Sequence, residues 1–231
     1  MNRFYKEVTI APEGSGYAVK LDGRPLKTPG KATLVLPTPA LADAVAEEWR
    51  QQSETIKPEA MPLTKSANSA VDTVSVNRAQ VTDELLRYGS GDLLCYRADD
   101  DITLAERQRL AWDPILAWLS ERYGAQLALT EGVVHIEQPG DAILALGRAL
   151  AGFNPYVLTG VHVATTLTGS LALALAMEDA HLTAEQVFEA AHLDERYQAE
   201  RWGQDSEAEK RLLTLRQELE AAARFMTLAR E

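Results

Sequence analysis

The first third of the chain alternates apolar and polar residues, and the remainder does not. "RFYKEVTI" and "GYAVKL" repeat with a period of two, which suits strands with one buried face, and Asp22-Gly23 supplies a hairpin turn. "RPLKTPGKATLVLP" adds two short extended pieces around Pro29-Gly30. At Thr38-Pro39 the period changes: Thr38 suits an N-cap, Pro39 the first helical position, and Leu41, Val45 and Trp49 recur along one stripe. This predicts an amphipathic helix ending near Gln52. "KPEAMPLTKSANSAVD", with two prolines and few large apolar residues, reads as a connector.

From Asn77 onward the spacing is helical. One helix runs through Val81, Leu85 and Leu86 and stops at Gly89; "DLLCYRA" reads as a short extended piece. "TLAERQRLAWDPILAWLSERYG" predicts a helix opened by a Thr103 to Glu106 capping box and kinked or restarted at Asp113-Pro114, with Trp112 and Trp118 in packing roles. "AQLALTEGVVHIEQP" has the alternation of a small hairpin. "DAILALGRALAGF" resumes helix, "VATTLTGSLALALAM" would be apolar nearly all round as a helix at the centre of a bundle, and three amphipathic surface helices close the chain. The pattern predicts an α+β protein: a β-rich N-terminal domain with one helix over residues 1–75, and a mostly helical C-terminal domain over 76–231.

Composition narrows the functional classes. The 231 residues are 46% hydrophobic, enough for a substantial core, and carry 34 acidic against 23 basic residues, a net charge of −11. Such a surface repels phosphate backbones and anionic lipid, so nucleic acid and membrane surface are not expected as partners. No formal charge occurs between Arg148 and Glu178, but four threonines, Gly152, Gly160 and Asn154-Pro155 lower the hydropathy of that segment and point to burial within protein. Cys95 is alone, which fits a reducing compartment, and "MNRFYKEVTI" has no targeting pattern; the expectation is a bacterial cytoplasmic protein or an already processed one.

Searching for chemistry yields little. The glycine-rich pieces "EGSGYAV" and "YGSGDLL" lack the spacing of a nucleotide loop, the four histidines show no metal-ligand spacing, and no nucleophile elbow is present. No cofactor, metal or small-molecule substrate is expected. A hydrolase using the C-terminal carboxylates with His181 or His192 is the alternative from another class, and a scaffold for an unrelated partner is a third reading. The informative feature is charge: residues 178 to 210 hold ten acids and three bases, with Tyr197 and Trp202 set among them. Asp194, Tyr197, Gln198 and Arg201 fall on one helical stripe and Glu195 and Trp202 on the next, and Gly203 ends the helix. Carboxylate, amide and indole presented together suit a grip on another polypeptide.

Five stretches in order, "DGRPLKTP", "AEEW", "MPLTKSANSAVD", "TGSLALALA" and "LDERYQAERWG", resemble the assembly chaperones of the ATP synthase catalytic head, specifically the F1 assembly factor that accompanies the α subunit in mitochondria and alphaproteobacteria. The resemblance runs from about Phe4 to Glu209. It implies a non-catalytic role: holding the unassembled α subunit of F1-ATPase by its subunit interface until assembly displaces the chaperone. It also places the family's important acidic position on Asp194 or Glu195, with Gln198 and Trp202 beside it. Arg196 stands where family members carry a third successive acid. The family's first-helix tryptophan matches Trp49, whose stripe position gives it a supporting role in the core. By the same resemblance, eukaryotic members would work in the mitochondrial matrix.

Overall fold

A computed structural model describes residues 2–203 and 205–230. The architecture is α+β, strands first and then mostly helices. The chain divides into two compact units. The first comprises the residues through Arg78 together with Asn154–Gly160 and the stretch from Arg224 onward; the second comprises Ala79–Phe153 and Val161–Ala223.

In the first unit β1 (Val8–Glu13) and β2 (Gly16–Leu21) pair antiparallel, Val8 opposite Leu21 and Glu13 opposite Gly16. β3 (Arg24–Pro25) and β4 (Val35–Leu36) both pair antiparallel with β2. The turn from β2 to β3 is Asp22-Gly23, both at positive φ as a tight hairpin requires, and the Asp22 carboxylate accepts from the amides of Lys6 and Glu7 at 3.0 and 2.8 Å. Those donors hold its carboxyl below the ordinary carboxylate value. α1 (Pro39–Arg50) starts as the sequence indicates: Thr38 Oγ1 accepts from Leu41 N–H at 3.1 Å, and Leu41, Val45 and Trp49 are buried.

The predicted connector is instead helical. A 3-10 turn (Pro58–Ala60) leads into α2 (Pro62–Ser69) and a π-helical turn (Ala70–Val74). The reason lies 15 residues upstream. Glu48, buried on α1, accepts from Leu63 N–H, Thr64 N–H and Thr64 Oγ1–H at 2.7, 2.8 and 2.6 Å, so a distant carboxylate caps a helix that has no side-chain cap of its own. Burial pushes the Glu48 carboxyl up despite those donors. Asp72 similarly fastens the loop after β3, accepting from Thr28 Oγ1–H at 2.7 Å and Gly30 N–H at 2.8 Å. The last residues complete this unit: Phe225, Met226 and Ala229 are buried, Thr38 Oγ1–H donates to Leu228 O at 2.6 Å, and Tyr156 donates to Val35 O.

The second unit contains α3 (Arg78–Ser90) beyond its first residue, β5 (Tyr96–Arg97), α4 (Ile102–Tyr123), β6 (Thr130–Glu131), α5 (Gly140–Ala151), most of α6 (Pro155–Thr168), α7 (Leu171–Glu178), α8 (Ala184–Ala191), α9 (Leu193–Trp202) and most of α10 (Ser206–Arg230). Every residue of α7 is buried, as expected for a helix apolar all round. The single long helix expected there is, however, two. Gly169 adopts φ +70 and Ser170 caps α7, its Oγ accepting from Leu173 N–H at 3.0 Å. The break is organised by Asp92, which is fully buried: its carboxylate accepts from Ser170 Oγ–H (2.7 Å), Ala172 N–H (3.0 Å) and Leu94 N–H (3.1 Å), and burial raises its pKa to about 6.

Three further local expectations are corrected. The stretch 125–139 forms no hairpin; Thr130–Glu131 pairs parallel with Tyr96–Arg97, and the Gln138 side chain satisfies both backbone groups of Ala128 at 2.7 and 3.1 Å. α4 is capped by Asp101, not by a Thr103 to Glu106 box, because Asp101 Oδ1 takes the N–H groups of Thr103 and Leu104 at 3.0 and 3.1 Å. And α4 does not restart at Asp113-Pro114 but continues through Pro114 as one helix of 22 residues. No helix among the described residues is long and apolar enough to cross a membrane.

Candidate partner-binding site

The acidic C-terminal stretch forms α8, α9 and the first half of α10. α8 opens on a capping box between Thr183 and Gln186. α9 carries Asp194 and Glu195 in its first turn, where negative charge suits the helix dipole, and ends at Gly203, whose φ of +94 excludes an ordinary side chain.

Two aromatic residues five positions apart take opposite parts. Tyr197 is 7% exposed. The guanidinium groups of Arg107 and Arg201 lie 4.9 and 5.4 Å from its ring centroid, both within cation-π range. Its hydroxyl donates to the Asp101 carboxylate at 2.9–3.0 Å, and Arg201 pairs with the same carboxylate. The Leu104 amide and the Tyr197 hydroxyl hold the Asp101 carboxyl below its usual value. Trp202, by contrast, is 78% exposed.

The predicted acids are engaged within the chain. Asp194 Oδ1 accepts from Gln108 Nε2–H at 2.8 Å; Gln108 is itself buried, with its Oε1 taking the Ala98 amide. Both Glu195 oxygens accept from Arg211 Nη2–H at 2.6 Å, and His192 Nδ1 lies 3.7 Å away. Burial holds the His192 imidazole below its usual pKa, so it is neutral near pH 7. Gln198 is exposed. The expected outward cluster of carboxylates and indole thus resolves into an exposed amide and indole, with Glu195 on a partly exposed ion pair and Asp194 as an internal anchor.

Residues that spacing could not single out complete the arrangement. Arg211 reaches Glu195 and Arg216 reaches Glu185 at 2.6 Å, tying the first half of α10 to α9 and α8 by surface ion pairs. Arg107 pairs with Glu200 at 2.7 Å. Trp112 supports the end of α8 through Nε1–H to Ala190 O at 2.9 Å. His181 stacks on Trp118 at 4.7 Å. Among the described residues no three His, Cys, Asp or Glu side chains converge as a metal site needs. Cys95 is buried and its thiol is pushed up to about 12, which makes it unreactive. Trp49, on α1, is 9% exposed and packs against Tyr5, whose hydroxyl donates to its carbonyl at 2.7 Å.

An arrangement of engaged polar groups around one exposed indole suits contact with another macromolecule, and relatives identify which kind of protein this is. The model of the ATP12 chaperone protein family matches residues 2–120. The chain belongs to the ATP12 chaperone family. Atp12 from Paracoccus denitrificans, a solved structure, is 43% identical, with a TM-score of 0.95 and coverage of 99% of this chain and 98% of that one. An aspartate-to-lysine variant of P. denitrificans Atp12p superposes equally well, at 42% identity over the same shares of the two chains. The protein atp12, mitochondrial, of Schizosaccharomyces pombe is 23% identical over 213 residues, spanning 87% of this chain and 73% of that protein. Membership makes this chain an assembly chaperone, a protein that acts on other proteins.

Proposed function

We propose that this chaperone holds the unassembled α subunit of F1-ATPase through the outer face of α9 and the adjoining half of α10, and is displaced as the ATP synthase catalytic head assembles. An orphan subunit exposes a large apolar interface that aggregates unless covered. The observation that carries the placement is Trp202: a tryptophan 78% exposed beside the exposed Gln198, bordered by charged residues, has the make-up of a buried anchor in a complex. The ion pairs around it favour exchange. Surface pairs such as Glu195 with Arg211 contribute about 0–1 kcal/mol, so a client cation can replace Arg211 at little cost. Binding of that kind protects and still releases.

The test is co-expression with free α subunit. Trp202→Ala and Glu195→Lys should leave melting behaviour close to that of the parent yet reduce the soluble α subunit severalfold. Parental yields of soluble α subunit with both folded variants would remove α9 as the docking face.

A further inference from the structure

The first unit carries a second feature suited to a protein client, and its charge is the opposite of the rest of the chain. Residues 1–31 hold six bases against three acids in a protein whose net charge is −11. One of those acids, Asp22, is taken by the backbone amides of Lys6 and Glu7. On this basic stretch lies a cleft of about 600 Å³ floored by Tyr5, Leu21, Leu26 and Trp49. Phe4, Arg24 and Lys27 stand at its rim.

Its lining is unusual in two respects. Phe4 is 64% exposed, and it sits edge-on to Tyr5 at 5.4 Å, which in turn sits edge-on to Trp49 at 5.6 Å, so an aromatic ladder climbs from the core to the surface. Trp49, which lines the cleft, has a buried Nε1–H with no acceptor among the described residues, and buried indole N–H groups ordinarily find one. Arg24 and Lys27 are both exposed and form no ion pair among the described residues. Asp22 also lines the cleft and interacts with Arg24, but its carboxylate is engaged by two backbone amides, so an apolar floor under exposed cations in a stretch of net positive charge favours an apolar side chain flanked by carboxylates.

We infer that this cleft, formed by the Phe4–Tyr5–Trp49 ladder beneath Arg24 and Lys27, is a docking site for an acidic, apolar peptide segment of the client protein. This rests on reading the chain as a chaperone that holds a client, and adds a contact separate from α9. Two points of attachment of modest strength give retention that either can relinquish. Complementary charge guides the encounter, and the floor supplies the apolar burial.

Fluorescence anisotropy of the full chain with a fluorescein-labelled hexapeptide, Glu-Glu-Phe-Leu-Asp-Asp, tests the inference; the same peptide with Gln and Asn for its acids is the control. The acidic peptide should bind saturably, and the control about tenfold more weakly. The double variant Arg24→Glu with Lys27→Glu changes exposed side chains only, so circular dichroism should match the parent while affinity falls about tenfold or more. Phe4→Ala should weaken both peptides. Trp202→Ala should leave peptide binding unchanged, which separates this site from the α9 reading. Equal binding of the two peptides, or parental affinity in the double variant, overturns the inference. So does a concentration-dependent dimer in ultracentrifugation that the double variant dissolves, because the cleft would then receive a second copy of this chain.

Discussion

Replacing Tyr197 by phenylalanine removes one hydroxyl and leaves the ring in cation-π contact with Arg107 and Arg201. The hydroxyl's partner is the carboxylate of Asp101, at 2.9–3.0 Å. A hydrogen bond to a charged acceptor is worth about 1.5–3 kcal/mol, and we place the loss of this one at the lower end or below, about 1 kcal/mol, because the carboxylate retains its backbone donors and Arg201. For a protein of this length that lowers Tm by about 2–4 °C. Tyr197→Ala also vacates a buried ring volume and should cost about 3–5 kcal/mol, as large aromatic truncations do. The acid limb provides an independent check. The Asp101 carboxyl lies below its unfolded value of 3.8, so its stabilisation is present above that pH and is lost as pH falls through the lower folded value. The gap in Tm between parent and Tyr197→Phe should therefore persist from neutral pH down to 3.8 and close below it. Thermal melts by circular dichroism across pH, with hydrogen exchange of the α9 amides, read both effects. A Tyr197→Phe protein that melts with the parent and protects α9 equally would refute the claim that this hydroxyl fastens the helix.

Three further expectations concern the frame. Ser170→Ala removes the cap of α7 and one donor to the buried Asp92, and should cost about 2–3 kcal/mol in urea unfolding. In the intact fold the Asp92 carboxyl should gain a proton as pH falls through about 6, read as an infrared carbonyl stretch missing from Asp92→Asn. Because this folded pKa is raised above 3.8, the contribution of Asp92 to stability is greatest in acid and declines as pH rises to about 6. A Cβ at Gly16 would lie 2.4 Å from Leu36 O, a backbone atom that cannot step aside, so Gly16→Ala should cost about 3 kcal/mol or more and shift the melt accordingly.

What the sequence made legible was local. The β1–β2 alternation, the Asp22-Gly23 turn, the Thr38-Pro39 helix start and the Gly203 helix end each depend on neighbours within a few positions. What escaped depended on partners far along the chain. Glu48 caps α2 from 15 residues away, Asp92 organises the break before α7 from 78 residues away, and Tyr96–Arg97 pairs with Thr130–Glu131 across α4. Ser170 after Gly169 was a readable cap, masked by the apolar run around it. Helix geometry puts Tyr197 and Trp202 on different stripes, since five residues advance about 140° around a helix, but it does not say which of the two faces the core. The ends of Arg107, Gln108 and Arg211, which fix the acids of α9, carry no spacing signal at all.

The hydroxyl that begins α1 also reaches Leu228 O, and Asn154 Nδ2–H reaches Ala229 O at 3.2 Å. The strand module early in this sequence is thus completed by a residue 190 positions further along it. During synthesis Thr38 and Asn154 must wait for Leu228 and Ala229 before these two contacts can form. A nascent copy, or one clipped before Arg224, would itself need shelter, so a protein that protects others passes through the same vulnerable stage on its way out of the ribosome.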